Sequence, residues 1–245
     1  MSRPLALVTG GTSGIGLGAA RALAADHDLA LGYRENHERA IAAITELERD
    51  GVRVRAFARP LAGWEDARAL TEEVAAAFGA APRVLVHSAG RIADRLFLDG
   101  PFAPHLELVQ EHLVTGMALC HLLLGNMYRE RFGRIVLVSS IGARWVKRGQ
   151  ASYAAAKAGL EGFTRALALE VAHRGVTVNA VAPGLIETPM TEQVRELRRH
   201  IPAGRIGRPE DVGALVRFLC SAEAGYLTGA VIPVDGGRSL GDPAS

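Results

Sequence analysis

The sequence predicts an α/β fold, a doubly wound parallel sheet of seven strands with helices on both faces. Seven short apolar segments alternate with longer segments of helical periodicity, which is typical of β-α-β units and therefore of parallel strands. The short segments are almost continuously hydrophobic, as expected for strands buried on both faces of a sheet. The predicted strands are Leu5–Thr9, Asp28–Tyr33, Val52–Phe57, Val84–His87, Arg134–Ser139, Val176–Val181 and Val231–Val234.

Six helices are predicted between these strands, near residues 15–25, 36–50, 64–78, 105–131, 152–173 and 209–222. No linker rich in proline or serine and no repeat interrupts the alternation, so we expect residues 1–245 to form one domain. The segment 184–208 differs from the rest, because prolines and glycines surround one short helical stretch in it. We interpret this segment as a mobile lid over a substrate site.

The composition excludes several classes of protein. The chain is 49% hydrophobic and 22% charged, which excludes a disordered chain, and its net charge of +2 gives no reason to expect a nucleic-acid partner. Cys120 and Cys220 show neither disulfide-framework nor zinc spacing, which fits a reducing compartment. No apolar run approaches the roughly 20 residues of a membrane span, and no secretory signal is expected. We therefore expect a cytoplasmic protein without a membrane partner.

A glycine-rich turn follows the first predicted strand. It reads Thr-Gly-Gly-Thr-Ser-Gly-Ile-Gly at residues 9–16, and a predicted helix follows at once. Glycines permit a tight turn and a close approach of backbone to ligand, and a helix N-terminus presents free N–H groups to a phosphate. A strand, a glycine turn and a helix within a β-α-β unit predict a dinucleotide site. Its candidate cofactor-binding residues are Gly10, Thr12, Ser13, Gly14, Ile15 and Gly16.

The end of the second predicted strand bears on which dinucleotide is bound. A carboxylate there would bind the ribose 2′-hydroxyl and repel a 2′-phosphate. This chain has no acid at that point and carries Arg34 instead. Because a guanidinium matches the geometry of a phosphate, Arg34 favours NADPH as the cofactor. The alternative interpretation of Arg34 is a solvated surface arginine.

Tyr153 and Lys157 lie one helical turn apart on the same face of a predicted helix. A phenol is a poor acid or base at neutral pH, but a nearby ammonium and a cationic nicotinamide would lower its pKa. Tyr153 could then exchange a proton with a substrate oxygen. Ser140 follows the fifth predicted strand, and the carboxyl ends of parallel strands face the ligand crevice. Its hydroxyl could therefore bind the same substrate oxygen.

Together, these motifs resemble those of the short-chain dehydrogenase/reductase family along nearly the whole chain. The match includes the glycine turn at residues 9–16 and Ser140, which stands thirteen positions before Tyr153. It extends to Pro183-Gly184-x-Ile186-x-Thr188 and to Val234-Asp235-Gly236-Gly237. Within the family, the chain is most similar to the 3-oxoacyl-acyl carrier protein reductases of fatty-acid and polyketide synthesis. Gln150, placed before Tyr153, and Arg208-Pro209-Glu210-Asp211 support that subgroup.

The resemblance implies a Rossmann-type fold, an NAD(P) cofactor and a homo-oligomer that is usually a tetramer. It also implies that Tyr153 is the general acid, that Lys157 binds the nicotinamide ribose and lowers the pKa of Tyr153, and that Ser140 polarises the carbonyl. Gln150 would join Ser140 and Tyr153 at the substrate. Further cofactor contacts implied by the resemblance are Ala89, Gly90, Pro183, Gly184, Ile186 and Thr188.

The chain departs from the family pattern in three places. His87-Ser88 replaces an Asn-Asn pair before Ala89-Gly90, and Pro60 stands where many relatives place an Asp that binds the adenine edge. His112 stands where active relatives often carry an Asn that holds a water-linked proton relay to the lysine. Imidazole also donates and accepts protons, so His112 is a fourth candidate catalytic residue, with a packing histidine as the alternative. The remaining histidines show no ligand spacing, and no metal site is proposed.

The sequence therefore predicts NADPH-dependent reduction of a 3-oxoacyl thioester, carried by an acyl carrier protein, to the 3-hydroxyacyl thioester. The alternatives are a dehydrogenase of another alcohol or ketone, such as a steroid or sugar, and a catalytically weak chain that pairs with an active homologue. The helices near 105–131 and 152–173 are apolar on more than one face, so we expect a dimer or tetramer. Basic residues near the site could steer an acidic carrier protein: Arg144, Lys147, Arg148, Arg195, Arg198, Arg199 and Arg205.

Overall fold

A seven-stranded, wholly parallel sheet forms the centre of the molecule, as the sequence predicts. The structure is a computed structural model that describes residues 3–48, 51–188 and 198–241. The strand order is β3-β2-β1-β4-β5-β6-β7, so the chain winds outward in both directions from β1 and β4. The strands are β1 (Leu5–Thr9), β2 (Asp28–Tyr33), β3 (Val54–Ala58), β4 (Val84–His87), β5 (Gly133–Val138), β6 (Val176–Pro183) and β7 (Val231–Val234).

The helices connect consecutive strands and cover both faces of the sheet. They are α1 (Gly14–Leu23), α2 (His37–Leu47), α3 (Trp64–Phe78), α4 (Ala103–Val109), α5 (Thr115–Glu130), α6 (Ala151–Val171) and α7 (Pro209–Cys220). Alternate residues of each strand enter opposite cores: Leu5 and Leu7 of β1 pack with α3, α5 and α6, whereas Ala6 and Val8 pack with α1, α2 and α7. The predicted doubly wound fold is confirmed.

The sequence predicts one uninterrupted helix over residues 105–131, and the structure shows a more complex element. Gln110–Val114 forms a π-helical turn between α4 and α5. Such a turn widens the helix by one residue and is frequent at functional sites. Here it brings the backbone carbonyl of His112 within 3.1 Å of the His87 ring at the end of β4. Hydrophobic periodicity shows the helix but not this local change of winding.

Among the described residues, the helical stretch Ala103–Glu130 has the length and the apolar composition needed to cross a membrane. Core helices of soluble proteins pass the same test, and 44% of the most apolar part of this stretch is buried inside the protein. It packs against α3 and α6 and contributes Leu119, Leu123 and Met127 to the core. Its apolar character is therefore weak evidence of a membrane span.

Part of the predicted lid, residues 189–197, lies outside the described residues. Its two described ends are joined. Ile186 forms a parallel bridge with Gly207, and Glu187 N–H donates to the Gly207 carbonyl at 2.7 Å. The segment therefore leaves β6 and returns to α7 at one place beside the carboxyl edge of the sheet.

Candidate active site

The glycine turn joins β1 to α1 at the carboxyl edge of the sheet. Gly10 and Gly14 have φ angles of +66° and +50°, which residues with a Cβ rarely adopt. A Cβ on Gly10 would lie 3.1 Å from the backbone of Ala89, and a Cβ on Gly16 would overlap the Gly10 carbonyl. Ser13 is the N-cap of α1, and its side chain makes no capping hydrogen bond. The turn thus leaves the first N–H groups of α1 open to a ligand.

Two adjoining cavities of about 630 and 560 Å³ extend from this turn along the carboxyl ends of the strands. Gly10, Ser13, Ala89 and Gly90 line both of them. The first cavity continues toward the end of β2 and is also lined by Thr12, Arg34, Arg39, Pro60 and Arg91. The second continues toward β5 and α6 and is also lined by Gly14, Ile15, Gly16, His112, Ser140, Gln150, Tyr153, Lys157, Pro183, Gly184, Ile186 and Thr188.

The second cavity contains the three residues of the predicted catalytic group. Ser140 follows β5, and its hydroxyl accepts a hydrogen bond of 3.0 Å from Gly142 N–H, which fixes the side chain. Tyr153 and Lys157 lie in the first two turns of α6, with the Lys157 ammonium 5.7 Å from the centre of the Tyr153 ring. Lys157 Nζ also donates to the Val138 carbonyl at 2.7 Å. The structure therefore brings Ser140, Tyr153 and Lys157 together.

Burial dominates the protonation of this group. It lowers the pKa of Lys157 to about 7. It raises the pKa of the Tyr153 phenol, whereas the hydrogen bond with Ser140 lowers it. The lowering of the Tyr153 pKa by Lys157 together with a cationic nicotinamide stays a prediction for the cofactor-bound enzyme.

His112 lies against the same group. Its ring meets the Tyr153 ring edge-on, with 5.3 Å between centres and 88° between planes. Its Nε2–H donates to the Arg91 carbonyl at 2.8 Å, so the neutral ring leaves Nδ1 as an acceptor. That Nδ1 atom is buried and has no hydrogen-bond partner. Burial, and then the charge of Lys157, lowers the pKa of His112 to about 2, so the imidazole is neutral.

The lower wall of the cavities is the segment that follows β4. Gly90 has a φ of +144°, and a Cβ there would overlap the His112 ring. His87 is 1% exposed and contacts Thr9 and the His112 backbone. The sequence shows His87 only as a departure from the family pattern, and its contacts are visible only in the folded chain.

The upper wall comes from the end of β6. Gly184 has no room for a Cβ, since one would lie 2.7 Å from Asp235 Cβ. Ile186 is 3% exposed, and the Thr188 methyl would lie 3.1 Å from a Cβ on Gly14. These residues line the second cavity together with Tyr153.

Gln150 lines the second cavity but is partly engaged by the protein. Its Nε2 donates to Asp94 Oδ1 at 2.7 Å, and Lys147 Nζ lies 2.9 Å from Asp94 Oδ2. Because a carboxylate only accepts, this bond fixes the Gln150 amide with its NH₂ group on Asp94. Sequence reasoning missed Asp94, since a lone acid in this stretch carries no motif.

Arg34 lies at the predicted place, beside the first cavity. It is 57% exposed, and its Nε is 2.9 Å from Glu35. Sequence reasoning missed two further arginines on the cavities. Arg39, in the first turn of α2, and Arg91 both line the two cavities. Arg91 is also paired with Glu111 at 3.0 Å. No sequence motif marks either position. Only the tertiary structure places α2 and the segment after β4 beside the cavities.

These residues fit a nicotinamide dinucleotide. The glycine turn and the α1 N-terminus would hold its phosphates, and the absence of Cβ atoms at Gly10, Gly16 and Gly90 allows the close packing that shapes the turn and the cavity wall. The joined cavities connect this turn with Tyr153. Among residues 3–48, 51–188 and 198–241, no group of three or more His, Cys, Asp or Glu side chains could hold a metal ion.

Comparison with known proteins agrees with the geometry. A family model described as enoyl-(acyl carrier protein) reductase matches residues 10–239. The chain is 37% identical over 241 residues to a 3-oxoacyl-acyl-carrier-protein reductase of Pseudomonas aeruginosa, covering 96% of this chain and 97% of that protein. It is 38% identical over 239 residues to the Aquifex aeolicus enzyme of the same name, covering 95% and 96%.

A third relative, nodulation protein G of Azospirillum brasilense, is 35% identical over 243 residues, covering 97% of this chain and 98% of that protein. The matches thus extend over almost the entire length of each protein. The chain therefore belongs to the short-chain dehydrogenase/reductase family and is an oxidoreductase.

Proposed function

We propose that this protein reduces a 3-oxoacyl thioester, carried by an acyl carrier protein, to the 3-hydroxyacyl thioester with NADPH. The observation that carries the proposal is the assembly of Ser140, Tyr153 and Lys157 in the cavity that opens from the glycine turn. Relatives of similar length that are named 3-oxoacyl-acyl-carrier-protein reductases support the substrate class.

The residues divide the chemistry between them. NADPH, when bound, supplies the hydride that reduces the carbonyl carbon. Ser140 donates a hydrogen bond to the carbonyl oxygen, and Tyr153 donates its phenolic proton to the same atom. Lys157 lies beside Tyr153, so its ammonium form stabilises the phenolate that remains. Gly10, Thr12, Ser13, Gly14, Ile15 and Gly16 hold the phosphates, with Ala89, Gly90, Pro183, Gly184, Ile186 and Thr188 as the walls.

His112 takes part in returning a proton to Tyr153. Its neutral ring, its unpartnered Nδ1 and its edge contact with Tyr153 support this role. Nδ1 is an acceptor that the described part of the chain leaves unfilled, and it is buried. With a pKa of about 2, the ring acts as an acceptor and not as a resident acid.

Arg34 and the absence of an acid at the end of β2 support NADPH over NADH. Gln150 would contact the substrate through its Oε1 atom, since its NH₂ group is held by Asp94. The carrier protein would meet the basic residues around the cavity mouth. Three members of this set form ion pairs: Arg144 with Glu161, Lys147 with Asp94, and Arg205 with Asp211. Arg195 lies outside the described residues. The other members of the set are Arg148, Arg198 and Arg199.

The remaining parts of the proposal concern organisation. Residues 1–245 would act as one dinucleotide-binding catalytic domain, with 184–208 as the substrate lid, whose two described ends meet at the Ile186–Gly207 bridge. Exposed apolar side chains on the α4–α6 surface, including Leu106, Met117 and Leu169, support a homodimer or homotetramer, or assembly with a homologous chain. We place the enzyme in the cytoplasm, without nucleic-acid, membrane or metal partners.

One experiment tests the proposal. Purified protein is given NADPH with acetoacetyl thioesters, the matching 2-enoyl thioesters and simple ketones, and separately NAD⁺ or NADP⁺ with alcohols. Preferential turnover of the 3-oxoacyl thioester supports the proposal. Preferential turnover of the enoyl thioester would instead support the activity in the family model's description. Turnover of none would favour a chain that needs an active homologue.

A further inference from the structure

Two buried histidines connect the end of β4 and the segment after it with the π-helical turn. Each ring forms a hydrogen bond with a backbone carbonyl of the other segment. The His87 ring reaches from the end of β4 to the backbone carbonyl of His112, with 3.1 Å from Nε2 to the oxygen. The His112 ring reaches back to the carbonyl of Arg91, with 2.8 Å from Nε2 to the oxygen. We call this reciprocal pair, His87 and His112, the histidine clasp.

The hydrogen-bond partners determine the tautomer of each ring. A carbonyl oxygen only accepts, so Nε2 carries the proton in both histidines. His87 Nδ1 is then an acceptor, and Thr9 Oγ1 lies 2.9 Å from it. The Thr9 hydroxyl donates to that nitrogen and in turn accepts the N–H groups of Ser88 and Ala89, each at 3.2 Å. His87 therefore orders both the π-helical turn and the first residues of the cavity floor.

Both rings of the clasp are buried and closely packed. His87 is 1% and His112 3% exposed. A Cβ on Gly90 would overlap the His112 ring, and a Cβ on Gly116 would lie 3.0 Å from His87 Cδ2. The His112 ring thus lies against Gly90 of the segment after β4, and the His87 ring lies against Gly116 at the start of α5.

The clasped segments line both halves of the proposed cofactor site. Ala89 and Gly90 belong to both cavities, and His112 contacts the ring of Tyr153. We propose that His87 is a positioning residue of the reductase: through the clasp, it holds the Ala89–Gly90 backbone and His112 in the arrangement that binds the cofactor and faces Tyr153. This role rests on the proposed function for its effects on NADPH affinity and on turnover, and the ordering of the two segments does not depend on it.

The test compares three substitutions of His87. His87→Leu removes the donor and the acceptor while keeping an apolar side chain of similar bulk. His87→Gln places an amide nitrogen where Nε2 lies and keeps the bond to His112, whereas His87→Asn keeps an acceptor near Thr9 and withdraws the donor. The matched control is His27→Leu, since His27 is also a buried histidine, 6% exposed, but lies before β2 at the opposite edge of the sheet.

The readouts are amide hydrogen exchange of residues 88–91 and 110–114, NADPH affinity by fluorescence, and kcat and KM for a 3-oxoacyl thioester. We expect His87→Leu to speed exchange in both segments, to weaken NADPH about three- to tenfold and to lower kcat. His87→Gln should stay near the wild type, and His87→Asn should fall between. His27→Leu should lower the melting temperature without these changes.

The proposal is overturned if His87→Leu loses thermal stability as His27→Leu does, yet keeps wild-type exchange, NADPH affinity and kcat. In that case, His87 is a packing residue. Exchange and NADPH affinity need no turnover, so the clasp remains testable if the wild type fails to reduce 3-oxoacyl thioesters. Such a failure would contradict the proposed function alone.

Discussion

The Lys157 ammonium nitrogen donates a hydrogen bond of 2.7 Å to the backbone carbonyl of Val138, the last residue of β5. This bond satisfies one of its three donors in a place where the side chain is 4% exposed. Burial lowers the pKa of Lys157 to about 7, so in the protein alone the amine changes charge near neutral pH. The charge of Lys157, which lies beside Tyr153, therefore depends on pH near neutrality.

The first prediction concerns stability and pH. The pKa of Lys157 is 10.5 as a free side chain and about 7 when folded, so the unfolded chain binds more protons between these values. The free energy of unfolding should therefore rise from pH 7 to 8.5, by at most about 1.4 kcal/mol per pH unit from this group. Urea unfolding at constant ionic strength measures the slope. Lys157→Met should flatten it, and equal slopes would contradict the assignment.

Tyr153→Phe removes only the hydroxyl from the proposed proton donor. We expect kcat to fall by roughly 10²–10⁴-fold, the usual contribution of general acid catalysis. NADPH affinity and melting temperature should stay close to the wild type, because the ring and its contact with His112 are kept. Steady-state kinetics with a fluorescence titration provide both values. A variant with near-normal kcat would remove Tyr153 from the mechanism.

Arg34→Ala tests the choice of cofactor. Arg34 is exposed beside the first cavity and paired with Glu35, so it can turn to a 2′-phosphate at little cost. Its loss should weaken NADPH more than NADH, by about 1–3 kcal/mol for a charge-assisted hydrogen bond. Calorimetric titration with both cofactors measures the difference, with Arg68→Ala on the outer surface of α3 as the control. Equal losses for both cofactors would place Arg34 away from the 2′-phosphate.

His112 is tested by a pair of substitutions. His112→Asn offers an acceptor and a donor and should keep or raise reductase activity, whereas His112→Leu should lower it by interrupting the proton path. Because the pKa of His112 is about 2, the imidazole stays neutral between pH 5.5 and 8, and its own titration should not shape the rate profile there. Rates across that range, with thermal melts as the folding check, decide the matter. Full activity of the Leu variant would make His112 a packing residue.

The oligomeric state is tested on α6. Leu169 is 84% exposed, and Met117 on α5 is 43% exposed, which an assembly would cover. Light scattering at micromolar concentration should give the mass of a dimer or tetramer. Leu169→Glu should shift that mass downward, whereas Ile41→Glu on α2 should not. A monomeric wild type would contradict the prediction.

The fold could be predicted from the sequence because its evidence is local. Continuous apolar runs flanked by helical periodicity determine the strands, and four of them, including Leu5–Thr9 and Val84–His87, have the predicted bounds. The bounds of β3, β5 and β6 differ from the predicted ones by one or two residues, because the ends of strands depend on their neighbours' hydrogen bonds rather than on hydrophobicity. Ser140 could likewise be singled out, since residues that come directly after parallel strands gather at the carboxyl edge of the sheet. Tyr153 and Lys157 could be singled out by their spacing of one helical turn and by their distance from Ser140.

The tertiary structure decided what depends on distant segments meeting in a buried place. The π-helical turn exists where α4 continues into α5 beneath His87, and no period in the sequence marks it. The pKa of Lys157 falls and that of Tyr153 rises because folding removes water from both, whereas their spacing alone suggested mutual stabilisation of charge. Sequence by itself determined which groups reach this edge of the sheet, and burial and hydrogen bonding determined the state in which each one is held.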